Sequence, residues 1–408
     1  MLTCPTSSDD VQREEPNDQA PAWLCQLDEG SRAVFAITTM EKESKMREDV
    51  HNPAQPNQPE MDKAARVESS ISRRQLLRTT ALLASAAAVA SAGLAGIIAG
   101  SAGRAEAAVA ARGGKIKVID FRCRPPLKPY SGLYNLRQST LAKRPNRLNN
   151  PATEGTPPHA VSMVGQPGAM EEWWKEIDAA GVDIVVSNGR YAAGDPTFSM
   201  DSKTLSGLQK QYKGRFYGLA AINLDQPMDA TVSELEDAIK NLGLPGANFE
   251  PGYRSKNGGP TTIDNADFYP IFETMIRLDA VLMVQTGAFA GLESFGPAND
   301  MSKFDEVKVK FPKLKVLLAH GGYPSMDAAL ALALKHPNIY ICPDVYMFWP
   351  GGQTFQINLD LLPDQFVYGS AFPFGNIDTT LKQTLKLPVN KSTLKSYLYD
   401  NAAQLLKL

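Results

Sequence analysis

Histidine is scarce in this chain: four in 408 residues, at positions 51, 159, 320 and 336. A hydrolytic metal centre gathers several imidazoles or carboxylates around one ion, so this supply argues against the usual site. Cysteine is equally sparse, at 4, 25, 123 and 342, with no spacing of the kind that makes a metal knuckle. Buried free thiols are therefore expected for Cys123 and Cys342. Neither sign of charge dominates, and a net charge of -2 gives no argument for nucleic acid or a membrane surface as the partner. No Gly-x-Gly-x-x-Gly follows the first apolar run, which removes the main sign of a dinucleotide site.

What is present begins with 43% apolar residues, ample for a buried core. Residues 1–60 lack apolar periodicity and are rich in Asp, Glu, Gln, Pro and Ser, the composition of a disordered extension. From Met61 a different layout starts. Ser72-Arg73-Arg74-Gln75-Leu76-Leu77-Arg78 is a twin-arginine motif, an uncharged Ala/Leu/Gly/Ser stretch follows, and Ala105-Glu106-Ala107 supplies a small-x-small cleavage box. Residues 61–107 thus read as a twin-arginine signal segment, with Met61 as the better candidate for the start. The export machinery is then a partner, and the folded domain, residues 108–408, is expected in the periplasm. A retained membrane anchor is the alternative, a poor one given so much Ala and Gly.

Beyond Lys115, β-branched and apolar runs alternate with helical patterns, the layout of βα units and a parallel sheet. Eight strands are predicted, at 116–121, 183–187, 216–222, 246–250, 281–285, 315–320, 339–344 and 365–369. Helices are predicted at 169–180, 229–242, 268–278, 301–311, 325–335 and 378–385, several ending at a glycine. The fold class is α/β, a (β/α)8 TIM barrel, with an open doubly wound sheet as runner-up. One connection is anomalous. From Arg124 to Gly168 about 45 residues crowded with Pro, Asn, Arg and Lys leave the first strand, a lid or subunit-contact loop over the face where barrel sites lie.

Four strand ends carry motifs: Val118-Ile119-Asp120-Phe121-Arg122-Cys123-Arg124, Met283-Val284-Gln285-Thr286-Gly287, Leu318-Ala319-His320-Gly321-Gly322 and Tyr368-Gly369-Ser370-Ala371-Phe372-Pro373. Together they resemble the amidohydrolase-related family, in its branch with aminocarboxymuconate decarboxylase-like and resorcylate decarboxylase-like members. That resemblance implies Asp-x-His-x-His in the first motif, a His in the second, His-x-Gly in the third and Gly-Ser-Asp-x-Pro in the last. Here Arg122 and Arg124 replace the paired histidines, Gln285 replaces the second-motif histidine, and Ala371 replaces the final aspartate. His320 alone is retained, at the position that the resemblance assigns to a general acid/base beside the metal. Two cations cannot replace two imidazoles around a divalent ion, so no metal and no other cofactor is expected at that place.

Arg122 and Arg124 are two apart on a predicted strand, which turns both to the barrel mouth and Cys123 away. Their forked donors suit a carboxylate or phosphate; internal pairing with Asp344 or Glu250 is the alternative. His320 is the candidate for proton transfer, against a packed core histidine. Asp344 and Glu250, at the ends of the seventh and fourth strands, could orient His320 or act as base, although nearby arginines favour ion pairing. Gln285, Tyr323 and Ser370 are candidate hydrogen-bond donors to substrate, and aromatic residues such as Tyr346 and Trp349 could wall a pocket. The expected function is a metal-independent hydrolase of a small carboxylate-bearing, lactone-like substrate. The alternatives are a lyase, decarboxylase or hydratase, of unsaturated or aromatic carboxylic acids, and a non-catalytic exported ligand-binding protein. A homo-oligomer is left open.

Overall fold

Seven parallel strands follow one another in sequence order in the computed structural model, which describes residues 116–143, 159–192, 194–251, 262–287 and 299–408. These residues belong to the unit Thr79–Leu408. The extension, the twin-arginine segment and residues 144–158 lie outside the described residues. The strands are β1 (Ile119–Asp120), β2 (Ile184–Asn188), β3 (Phe216–Ala221), β4 (Gly246–Phe249), β5 (Val281–Gln285), β6 (Lys315–Ala319) and β7 (Ile339–Cys342).

The eighth predicted strand forms no regular ladder. Its segment instead bonds to both edges of the sheet. On one side Ile341 N–H donates to Gln365 O at 2.8 Å and Val367 N–H to Ile341 O at 2.9 Å; on the other Phe121 N–H donates to Tyr368 O at 2.9 Å. The seven-stranded sheet is thereby curled round on itself, as in a TIM barrel.

Two apolar clusters divide the molecule by strand parity. Ile119, Phe121, Val186, Leu219, Met283, Leu317 and Val367 fill the interior. Val118, Val185, Ala247, Leu282, Leu318 and Ile341 point outward into the helical layer, with Trp173 and Ile177. The main helices are α1 (Ser131–Lys143), α2 (His159–Ser162), α3 (Ala169–Ala180), α4 (Ser202–Gln211), α5 (Met228–Lys240), α6 (Tyr269–Arg277), α7 (Met301–Lys310), α8 (Met326–Lys335), α9 (Gln353–Asn358), α10 (Ile377–Thr384), α11 (Lys391–Lys395) and α12 (Asn401–Leu406). From α12, Ala402, Leu405 and Leu406 join the interior cluster, and Lys407 just beyond it pairs with Asp279, ahead of β5, at 3.1 Å. The C-terminal helix therefore packs at the end of the sheet where the strands begin.

Three expectations need correction. The first strand stops at Asp120, because Phe121 and Arg122 form a turn in which Arg122 N–H donates to Asp120 Oδ1 at 3.1 Å. The long connection after it is not all loop, since α1 lies within it. It follows a short turn at Lys128–Tyr130, and one tyrosine from the helix and one from the turn pin the connection to the mouth: Tyr134 Oη donates to Arg124 O at 2.8 Å and Tyr130 Oη to Asn188 O at 2.5 Å. Finally, α4 is unpredicted. Its apolar stripe is thin, but Asp201 caps it, accepting from Thr204 N–H at 2.8 Å.

Candidate active site

The turn at Phe121–Arg122 sets up the site. Simple alternation from Ile119 and Phe121 would send Cys123 inward and the arginines outward. The turn shifts the phase, so Cys123, a buried free thiol, packs in the outer cluster. Arg122 and Arg124 reach the mouth, although not along one straight strand as their spacing predicts. Space for Arg122 comes from Gly369. A Cβ there would lie 2.9 Å from Cys342 Sγ and 3.1 Å from Arg122 Cβ.

Arg122 and His320 meet at one carboxylate. Asp344 Oδ2 is 3.3 Å from Arg122 Nε, and both of these side chains are fully buried. Asp344 Oδ1 lies 3.0 Å from His320 Nδ1 and accepts from Val345 N–H at 2.9 Å. Burial first, then the Arg122 guanidinium, lowers the His320 pKa from the usual 6.5 to about 4, against the opposing pull of Asp344. The ring is therefore neutral near pH 7. A carboxylate only accepts, so Nδ1 must carry the proton and donate to Asp344. That leaves the Nε2 lone pair as a base.

Backbone strain gathers in the same place. Among the described residues, non-glycine residues at positive φ are Asp279, His320 (65°), Asp344 (45°), Ala371 (55°) and Lys407. Three of these five end β6, β7 and the closing segment at the mouth. Such conformations persist where surrounding structure enforces them, often at functional sites. Gly287, at φ 97°, backs the histidine, and a Cβ there would stand 2.6 Å from His320 Cβ. Gly287→Ala is therefore expected to cost about 1–3 kcal/mol. The denaturation midpoint would fall, and an unchanged midpoint would contradict this geometry.

Arg124 is held differently. Its Nη1 donates to Phe372 O at 3.3 Å and lies 3.5 Å from Ala371 O. Burial and then Arg122 bring its pKa down to about 10, so it stays cationic. Arg122 Nη1 and Nη2 are buried and have no hydrogen-bond partner among the described residues. These are the donors left for an incoming anion. Each unsatisfied buried donor costs roughly 1–3 kcal/mol, and a bound carboxylate would remove that cost.

Other predicted site residues lie elsewhere in the network. Glu250 does not reach Arg122 or Arg124. It pairs with Arg190, whose Nη2 donates to Oε2 at 2.9 Å and whose Nε lies 3.1 Å from each carboxylate oxygen. Gln285 is tied to Asn248, Nε2 donating to Oδ1 at 2.6 Å. The Ser370 hydroxyl accepts from Phe372 N–H at 3.1 Å, while Ser370 N–H donates to Asp120 Oδ1 at 2.9 Å. Both contacts clasp the closing segment rather than face the mouth. Burial raises the pKa of Asp120.

Tyr323 stacks on Tyr346, with centroids 4.4 Å apart and planes at 22°. Tyr346 in turn sets its ring perpendicular to His320, with centroids at 5.2 Å. These rings form one aromatic side of the site. Sequence reasoning missed Asn188, Arg190 and Asn248. The available signal was a polar residue at the inward parity of a strand end.

A divalent ion does not fit these donors. Guanidiniums stand at the end of β1, both Asp344 oxygens face Arg122 and His320, and among the described residues no group of three or more His, Cys, Asp or Glu could hold a metal.

The family model described as Amidohydrolase matches residues 184–408. No match to a curated protein is found. An uncharacterized TIM-barrel protein from Bordetella bronchiseptica aligns at 24% identity and TM-score 0.63, over 71% of this chain and 98% of that one. A 5-carboxyvanillate decarboxylase from Novosphingobium aromaticivorans, complexed with manganese and 4-hydroxy-3-methoxy-5-nitrobenzoic acid, aligns at 14% identity and TM-score 0.53, over 72% and 97%. A 2,6-dihydroxybenzoate decarboxylase from Rhizobium aligns at 15% and TM-score 0.52, over 71% and 98%. At such identities the likeness establishes the fold.

Proposed function

The chain belongs to the amidohydrolase family, and from that premise we propose that it is a lyase that decarboxylates a small aromatic or unsaturated carboxylic acid. One observation carries the reading: Arg122 keeps buried, unpartnered donors beside a neutral imidazole that shares its carboxylate. The names of two fold neighbours, both decarboxylases, agree with it.

The chemistry follows from charge. Arg122 and Arg124 receive the substrate carboxylate. Burial and then the guanidinium hold the His320 pKa down; the substrate's negative charge offsets the second of these, so the ring can accept a proton at Nε2 more readily, with Asp344 stabilising the cation. As the carbon–carbon bond breaks, its electron pair stays on the substrate carbon and carbon dioxide leaves. His320 then delivers the proton to that carbon. The net reaction consumes one proton, taken from solvent. No step is routed through a metal, in keeping with the donor set.

The neutral His320–Asp344 pair is also the arrangement that activates water, which favours a lactone hydrolase as the second reading. Incubating the protein with hydroxybenzoates, unsaturated diacids and lactones separates the two. The expected result is carbon dioxide release that survives chelation. Ring opening without carbon dioxide would establish hydrolysis. Activity lost to a chelator and restored by manganese would overturn the metal-free reading. Binding without any turnover would leave a ligand-binding protein. We place the reaction in the periplasm on the strength of the twin-arginine segment alone.

A further inference from the structure

We propose that Asn188 is a substrate-binding residue that selects acids carrying a hydroxyl group, by hydrogen-bonding that group while the arginines hold the carboxylate. The proposal rests on the anion reading above and extends it to a second point of contact.

Position comes first. On β2, Ile184 and Val186 pack in the interior cluster and Val185 in the outer one. Asn188 takes the next inward place at the mouth end, in register with Leu219, itself interior. It is 1% exposed. Its main-chain carbonyl accepts from Tyr130 Oη, but its side-chain amide makes no hydrogen bond with any described residue, and Oδ1 is buried without a partner.

The neighbouring amides show that this is not the local rule. Asn248 and Gln285 hold inward positions at the ends of β4 and β5, and Gln285 Nε2 donates to Asn248 Oδ1. Asn248 Nδ2 donates to Gly189 O at 2.8 Å and contacts Glu250 Oε1 at 3.0 Å. The network that satisfies them reaches Gly189, next to Asn188, and stops there. A buried amide oxygen without a donor is unfavourable, whereas an apolar side chain of the same size would cost nothing of that kind. An amide pairs well with a neutral hydroxyl and offers an anion little. The carboxylate belongs to the guanidiniums, and the hydroxyl belongs here.

The test uses benzoate and its three monohydroxy derivatives as probes, with dissociation constants measured calorimetrically on the wild type and on Asn188→Leu. At least one hydroxybenzoate is expected to bind the wild type about tenfold more tightly than benzoate. In the variant that advantage should shrink to within about twofold, with benzoate affinity kept. The variant should melt at or above the wild-type temperature, since an unpaired amide has been replaced by an apolar group. A hydroxyl advantage that survives the substitution, or none in the wild type, overturns the proposal. If benzoate itself fails to bind the wild type, the anion reading fails and this inference falls with it. Benzoate binding that is lost in Arg122→Met, without any hydroxyl preference, would keep the first and reject the second.

Discussion

Asp344→Asn will unfold at a temperature roughly 10 °C below the wild type, a loss of about 3–5 kcal/mol. The asparagine keeps the shape but removes the only carboxylate among the described residues that contacts the buried Arg122 guanidinium. Arg122 is then a charge out of water without a counter-ion, the situation in which breaking one side of a buried pair costs most. Function should fall as well. An amide no longer fixes Nδ1 as the protonated nitrogen of His320, so part of the population presents the wrong tautomer. The control is the double variant Arg122→Met with Asp344→Leu. Replacing a buried ion pair by apolar residues of similar volume is often neutral or stabilising, so melting should return close to wild type while turnover and anion binding stay lost. Scanning fluorimetry on the three proteins decides it. Equal melting of Asp344→Asn and the wild type would mean that Asp344 and Arg122 do not share a buried contact.

His320→Gln should reduce turnover by about 10²–10⁴-fold, the usual share of a positioned proton-transfer group. It should also change how stability responds to acid. The folded protein holds the imidazole near pKa 4 against the usual 6.5, so between those values the unfolded chain binds the proton and the folded one does not. Stability then rises with pH across that window. This contribution is whole above pH 6.5, is lost progressively as pH falls toward 4, and amounts to about 3 kcal/mol. In His320→Gln that part of the acid slope should be absent. Denaturation midpoints at pH 7 and pH 4.5 measure the difference. A wild-type imidazole titrating near 6.5 by NMR would show that the ring is not held neutral. The same displacement predicts that kcat/KM falls as pH rises above about 4, because the free enzyme must first take up the proton that His320 delivers.

The order of elements was legible in the residues. A helix buried on one stripe repeats its apolar positions, and α3 emerges as predicted between its two glycines, Gly168 and Gly181. Strand β5 also matches the prediction, Val281–Gln285, because a run buried on both faces needs no alternation to be recognised. The motifs were legible for the same reason, since strand-end residues sit beside turn residues that mark them. Where local signals were weak, prediction failed. The thin stripe of α4 and the mixed composition around α1 gave no periodicity strong enough to separate helix from loop.

Charge pairing was not legible. The sequence presents Asp344 and Glu250 as equal candidates at two strand ends, and nothing local says which arginine each will find. The fold separates them. Glu250 meets Arg190, from the end of β2, whereas Asp344 meets Arg122 from β1, because the closing segment brings β7 and β1 close together at the mouth. The sequence by itself determined the parallel α/β pattern, the shortage of metal ligands and the strand-end motifs, since these depend on composition and on neighbours along the chain. Only the tertiary structure decided which of them touch and what they can do. Closing the sheet joins residues more than two hundred apart, and the burial that results sets the proton on His320 and leaves Arg122 Nη1 and Nη2 and Asn188 Oδ1 without a hydrogen-bond partner among the described residues.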